Sequence, residues 1–349
     1  MDYVAGMISA SRTALFAALA WLAPQAQANS DYLSRADVQS FIETMRDEHG
    51  IDPAQVERVL AEAQNQPSVM RLIGPEPPSS APSPVRNYPA YRARFLTPAR
   101  IAAGVRYWAE HEEYLKRAES EFGVPSEVIL GVLGVETAFG RNTGSFRVVD
   151  ALATIAFDGP RRQDYFREEL KELLLLARDT GMDPLSLRGS FAGAMGLPQF
   201  MPSSYRRYAV DFDGDGKPDL AGSPADAIGS IASYMKAFGW VTGEPATSSL
   251  RLPKGREAEF VSGLQRNHYT TGLRDQGVKF LGKEIPETAC SVIELPSPGN
   301  ASKFVAGFGN FEVVTRYNRS TFYASAVLEL AEAIRAQRAQ QLKLAKAAD

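Results

Sequence analysis

Glu136 stands where a helix should carry another aliphatic side chain. Between Pro125 and Gly140, Val128, Ile129, Val132 and Leu133 recur at helical spacing and mark one buried stripe. Glu136 continues that stripe, four residues after Val132 and three after Leu133. A carboxylate is costly to bury unless it is paired or kept protonated. Apolar neighbours, and the negative end of a helix that Gly140 is placed to cap, both raise its pKa. A carboxylic acid that holds its proton near neutral pH can act as a general acid. The plainer alternative is a Glu at a helix end tied into a structural network.

Two further clusters could carry chemistry. In GSFAGAMGLPQFMPSSY, residues 189–205, the small residues Gly189, Ser190, Gly193, Ala194 and Gly196 let a large ligand approach the backbone. Ser190 and Gln199 supply uncharged groups suited to sugar hydroxyls and amides; tight glycine-rich helix packing is the other way to read the segment. In DFDGDGKPD, residues 211–219, Asp211, Asp213 and Asp215 hold loop positions one, three and five of an EF-hand-like calcium site. Gly216 takes position six, the Lys217 carbonyl position seven, and Gly222 replaces the usual bidentate Glu at position twelve. Asp226 follows closely enough to close the shell from the next helix. Calcium is expected over sodium, over no metal, and over an ordinary Asx-rich turn.

Other chemistries find no support. His49, His111 and His268 lack zinc spacing, and there is no HExxH, GxSxG, Walker A loop or GxGxxG after a strand. No catalytic cofactor is expected. A net charge of −3 gives no basic excess for nucleic acid.

The elements that must position these groups follow from 349 residues of ordinary globular composition, enough for about two domains. Residues 1–28 read as a secretory signal: a short leader, the apolar run Ala14 to Leu22, and Ala26-Gln27-Ala28 as cleavage site. The run is too short to span a bilayer, which takes about 20 residues. Cys290 stands alone and far from that site, so neither a disulfide nor a lipid anchor is expected. The expectation is a free bacterial periplasmic protein, monomeric and without a membrane span.

Residues 29–73 read as helical, and 74–88 as a Pro/Ser-rich linker. Thr97-Pro98 opens a helix running through Ile101, Val105, Trp108, Leu115 and Phe122. The Glu136 helix, one bearing Phe166, Leu170, Leu173, Leu174 and Ala177, and one over Ala225 to Phe238 complete a region at 89–247. Runs at 278–281, 292–295 and 311–315 predict strands in a small β region at 248–315. A segment at 316–349 carries a closing helix from Tyr323 to about Leu344. The class is mainly α with a small β part.

GVETAFGRNTG (134–144), GSFAGAMGLPQFMPSSY, the aspartate loop, PADAIGSIASYMKAFGW (224–240) and VVTRYNRSTFYASAV (313–327) occur in that order. Together they resemble the lytic murein transglycosylase B family, over about residues 31–335. The resemblance implies a lysozyme-like fold with an α domain, a small β domain and a core domain carrying the calcium loop. It implies cleavage of the β-1,4 bond between N-acetylmuramic acid and N-acetylglucosamine in peptidoglycan, leaving a 1,6-anhydro sugar. The family's catalytic glutamate falls on Glu136. Its glycan-cleft residues fall on Tyr91, Arg161, Arg162, Ser190, Gln199, Tyr234, Tyr317, Asn318 and Tyr323. Its calcium ligands fall on Asp211, Asp213, Asp215, the Lys217 carbonyl and Asp226.

One acid suffices for that reaction if the substrate's N-acetyl group replaces the second carboxylate of an ordinary glycosidase. No second carboxylate is obvious, although Asp150 and Asp158 lie downstream. The rivals are a hydrolytic lysozyme-type muramidase and a non-catalytic, calcium-stabilised peptidoglycan-binding protein.

Overall fold

The computed structural model describes residues 32–75, 85–282 and 284–348. The signal at 1–28 and most of the linker lie outside the described residues. In chain order the helices before the first strand are α1 (Ala36–His49), α2 (Pro53–Glu62), α3 (Pro67–Ile73), α4 (Tyr88–Ala93), α5 (Pro98–Glu110), α6 (Glu112–Phe122) and α7 (Ser126–Glu136). Then come β1 (Phe146–Arg147), α8 (Val148–Ala153), α9 (Gln163–Thr180), β2 (Arg188–Gly189), α10 (Pro202–Tyr208) and α11 (Pro224–Ala237). The remainder is β3 (Thr247–Arg251), β4 (His268–Tyr269), α12 (Thr270–Asp275), β5 (Lys279–Leu281), β6 (Ala289–Leu295), β7 (Lys303–Gly307), α13 (Gly309–Tyr317) and α14 (Thr321–Ala348).

Helix starts obey local chemistry. Asp52, Thr97 and Ser223 each accept a backbone N–H of the first turn and precede a proline at its opening. Three apolar clusters result. One joins α1–α3 to α8 and α9, a second surrounds α7, and a third fills the β region behind Leu250, Val292 and Ala306. The sheet is antiparallel, in the order β4-β6-β7-β3-β5. No helix among the described residues is long and apolar enough to cross a membrane.

Several local readings change. The helix opened at Thr97 is two helices, because His111 leaves helical geometry (φ −123°, ψ 27°) and Glu112 and Glu113 start the next one. The Glu136 helix is not striped: all of Val128 to Val135 is buried, since α5, α6, α11 and α14 enclose it. It stops at Glu136 with Thr137 as its cap, and Gly140 lies beyond in the turn. Residues 311–315 are in α13, not a strand. Their β-branched side chains suit a strand locally, but Phe311 and Val314, three apart, pack into the core around α7. The glycine-rich 189–201 segment is a looped ribbon with bridges Gly189↔Met195 and Met195↔Phe200, not packed helix.

Candidate active site

Glu136 is the last residue of a helix whose shell is nearly solid. Gly131 and Gly134 let α14 press against it: a Cβ on Gly131 would lie 2.5 Å from the Val327 carbonyl oxygen, and one on Gly134 2.7 Å from the Leu330 side chain. That close approach delivers Tyr323, whose hydroxyl donates to Glu136 Oε1 at 2.5 Å. The carboxyl keeps a partial opening toward solvent, yet the packed atoms around it desolvate it as they would a core group. Burial raises its pKa to about 7, against the opposing pull of the Tyr323 hydrogen bond. Burial also holds the Tyr317 and Tyr323 hydroxyls well above the ordinary tyrosine range, so they remain donors.

The turn after the helix is pinned from outside. The Thr137 hydroxyl donates to the Leu197 carbonyl at 3.0 Å and accepts from Gly140 N–H at 3.0 Å. Ala138 and Phe139 both take left-handed conformations, φ 51° and 61°. Phe139 packs 5.4 Å from the Tyr107 ring, while Val135 and Ala138 line the cleft beside Glu136.

Glu136 opens into a cleft of about 420 Å³. Of the residues singled out from the sequence, Tyr91, Ser190, Gln199, Tyr234, Tyr317, Asn318 and Tyr323 line it with Glu136. Ser190 Oγ accepts Ala194 N–H at 3.0 Å, which leaves its proton to point elsewhere. Gln199, at φ 53°, donates its amide to the Thr143 and Gly196 carbonyls, leaving its amide oxygen without a donor among the described residues. Tyr317 Oη and Asn318 Oδ1 are buried without a hydrogen-bond partner among the described residues. Such groups cost about 1–3 kcal/mol each unless a ligand satisfies them. Tyr234 packs at a tilt with its ring centre 4.6 Å from those of both Tyr317 and Phe238, giving one wall an aromatic face.

Arg161 and Arg162 do not line the cavity itself, although Arg162 lies against Tyr165, which does. Arg161 donates to the Ile73 carbonyl at 2.7 Å, and the Arg162 guanidinium lies 4.4 Å from the centre of the Tyr165 ring. Arg94 and Arg100 line the cavity as well. Arg94 sits over the Tyr91 and Phe95 rings, and Arg100 donates to the Gly134 carbonyl at 2.9 Å. A second carboxylate, Glu169, also lines the cleft but is held fast: Ser203 N–H reaches Oε2 at 3.0 Å, Ser203 Oγ reaches Oε1 at 2.8 Å, and Tyr165 adds a third bond. Asp150 and Asp158 lie outside the cleft, bonded to Arg147 and to Tyr32 and Arg35 respectively.

In the aspartate loop, Asp211, Asp213 and Asp226 each offer an oxygen within 4.8 Å of the others. Asp226 is fully buried and accepts the Phe212 and Asp219 N–H groups at 2.6 and 2.7 Å. Asp215 is turned out of this trio, its side chain accepting Lys217 N–H. Three gathered carboxylates repel one another, and hard oxygen donors are the set that a calcium-type cation takes.

The transglycosylase SLT domain model matches residues 34–332. The chain belongs to that transglycosylase family. It is 40% identical over 318 residues to the membrane-bound lytic murein transglycosylase B of Escherichia coli K12, covering 90% of this chain and 87% of the relative. The crystal structure of soluble lytic transglycosylase SltB1 of Pseudomonas aeruginosa, in its catenated form, is 44% identical. The match covers 88% of this chain and all of SltB1, with a TM-score of 0.82. The E. coli lytic transglycosylase Slt35 in complex with calcium is 39% identical, with a TM-score of 0.80 over 91% of this chain and all of Slt35. The transglycosylase is therefore an enzyme of the lysozyme-like fold that acts on murein.

Sequence reasoning missed Arg94, Arg100 and Glu169 in this transglycosylase. Glu169 carried the very signal that exposed Glu136, a carboxylate beside the apolar positions Phe166, Leu170 and Leu173 of one helix. Arg94 follows Tyr91 by three residues at the end of a short helix, a weaker mark.

Proposed function

We propose that Glu136 performs the family's reaction alone, first as acid and then as base. Protonated Glu136 gives its proton to the glycosidic oxygen, and the C1–oxygen bond breaks as positive charge builds on the muramic sugar. The substrate's own N-acetyl oxygen supports C1 in place of a protein carboxylate. Ionised Glu136 then takes the C6 hydroxyl proton while that oxygen attacks C1 of the same ring. The 1,6-anhydro product forms, the proton returns to Glu136, and no water is consumed. Attack within one ring has a large effective-concentration advantage over water.

One observation favours this over hydrolysis. The cleft's other carboxylate among the described residues, Glu169, has both oxygens engaged by Ser203 and so is not poised as a base. Tyr234 and Tyr317 suit stacking on sugar faces, while Ser190, Gln199, Asn318 and the hydroxyl of Tyr317 suit sugar hydroxyls and N-acetyl groups. Tyr91 packs with Arg94, and with Arg100 that pair suits the carboxylates of an anionic polymer. Arg162, against the cleft-lining Tyr165 ring, and its neighbour Arg161 suit the same carboxylates at the cleft margin.

Asp211, Asp213 and Asp226, with Asp215 and the Lys217 carbonyl of the same loop, would hold calcium, which would knit the loop to α11 and contribute stability, not chemistry. Residues 1–28 would direct the enzyme to the periplasm, where its polymeric substrate lies, as a monomer. Mass spectrometry of products from purified peptidoglycan tests the reaction. Anhydro ends, lighter by one water than reducing ends, are expected; reducing ends would establish hydrolysis.

A further inference from the structure

A polar shelf of about 460 Å³ lies beside the cleft, lined by Gln64, Gln66, Ser145, Arg147, Asp150 and Arg188 around the Phe146 ring. One wall is the β1–β2 ribbon, in which Arg147 stands directly opposite Arg188. Like charges at facing positions of an antiparallel pair repel. Asp150 answers only one of them: it takes Arg147 at 2.7 Å, and its oxygens are closed off by Gln64 N–H at 3.0 Å and the Gln66 amide at 3.2 Å. The Arg188 side chain is exposed and has no hydrogen-bond or ion-pair partner among the described residues. Two arginines against one aspartate leave the shelf positive. The Gln64 side-chain amide and the exposed Ser145 hydroxyl add uncharged donors and acceptors.

Shelf and cleft share this ribbon. Phe146 pairs with Gly189, and the next residue, Ser190, lines the cleft. From Arg188 to Ser190 is at most about 7 Å of extended chain. A bound peptide rising about 3.3 Å per residue crosses that gap in two or three residues.

We propose that the shelf receives the peptide stem of the glycan strand, with Arg188 binding a stem carboxylate and Gln64 and Ser145 bonding its amides. This rests on the transglycosylase reading, in which the strand lies in the cleft and its stems emerge over the rim. The positive shelf then makes stem-bearing strands better substrates than bare ones.

The test compares release of soluble fragments from intact peptidoglycan with release from strands stripped of peptide by an amidase. Arg188→Glu is expected to raise the half-saturating concentration of intact substrate about tenfold, and Gln64→Ala a few-fold, with stripped strands handled as by the wild type. Co-sedimentation of Glu136→Gln and of Glu136→Gln/Arg188→Glu with intact peptidoglycan reads the same interaction without turnover, and the double variant should pellet less. Equal changes on both substrates, or no change with either variant, would overturn the shelf. Wild-type protein inactive on both substrates would instead overturn the parent reading.

Discussion

Replacing Glu136 by Gln should destroy activity and make the protein more stable, but only where the wild-type carboxyl is penalised for ionising. Its pKa rises from an ordinary 4.5 to about 7 on folding, because burial disfavours the charged form. Below pH 4.5 both folded and unfolded chains hold the proton, and there is no penalty. Between 4.5 and 7 the unfolded chain ionises first, so the folded state binds more protons and stability falls as pH rises. Above 7 the penalty is complete, about 3 kcal/mol for a gap of about 2.5 at 1.36 kcal/mol per pH unit. Gln keeps the shape and can still accept the Tyr323 hydroxyl, but it never carries the charge. With an unfolding entropy of about 2.1 cal/mol/K per residue over roughly 300 folded residues, 3 kcal/mol is about 5 °C. Calorimetric midpoints of both proteins from pH 4 to pH 8 give the answer. The gain should be absent at pH 4 and near its full size at pH 8. A gain of equal size at both pH values, or none at pH 8, would refute the claim that Glu136 is held protonated by burial.

Tyr323→Phe removes the hydrogen bond that stabilises ionised Glu136, a contact of about 1.5–3 kcal/mol for a charged acceptor. The basic limb of the kcat/KM profile, near 7 in the wild type, should move up by at least about one pH unit; a limb that stays put would remove Tyr323 from this role. A chelator should lower the melting midpoint by about 4 °C if calcium stands near a hundred times its Kd, and readdition of calcium should restore it; an unchanged midpoint would count against the metal. Gly131→Ala places a methyl 2.5 Å from the Val327 carbonyl oxygen and should cost about 1–3 kcal/mol. It should also lower kcat by loosening Tyr323 from Glu136, and wild-type values of both would refute the close-packing argument.

What the sequence revealed and hid divides along one physical line. Glu136 was visible because a carboxylate on an apolar repeat is an anomaly that needs no tertiary knowledge. Glu169 has the same mark on α9 but, with Ser203 filling its lone pairs, its meaning differs, and only the arrival of α10 distinguishes them. The helices opened at Asp52, Thr97 and Ser223 were legible because capping is local. Residues 311–315 misled because Val313, Val314 and Thr315 are strand formers by local sterics, and packing against the shell of α7 overrode that preference. Arg161 and Arg162 were harder to place from sequence for a related reason. Long cationic side chains choose partners across the fold: Arg161 reaches the Ile73 carbonyl, and Arg162 lies against Tyr165, a ring that lines the cleft.

The chemistry itself depends on the least local feature, the meeting of α7 and α14. Nearly 190 residues separate Glu136 from Tyr323, and neither predicts the other's position. Their approach requires the missing side chains of Gly131 and Gly134 on one helix and the small Ala331 on the other. A helix buried from Val128 to Val135 and built this way raises the carboxyl's pKa through desolvation, while the tyrosine it admits pulls the pKa back down. The balance lands near neutrality, where one group can give a proton and then take one back. Packing that tight is therefore part of the acid–base machinery: loosening it would admit water, lower the pKa and leave the carboxyl ionised before the substrate needs its proton.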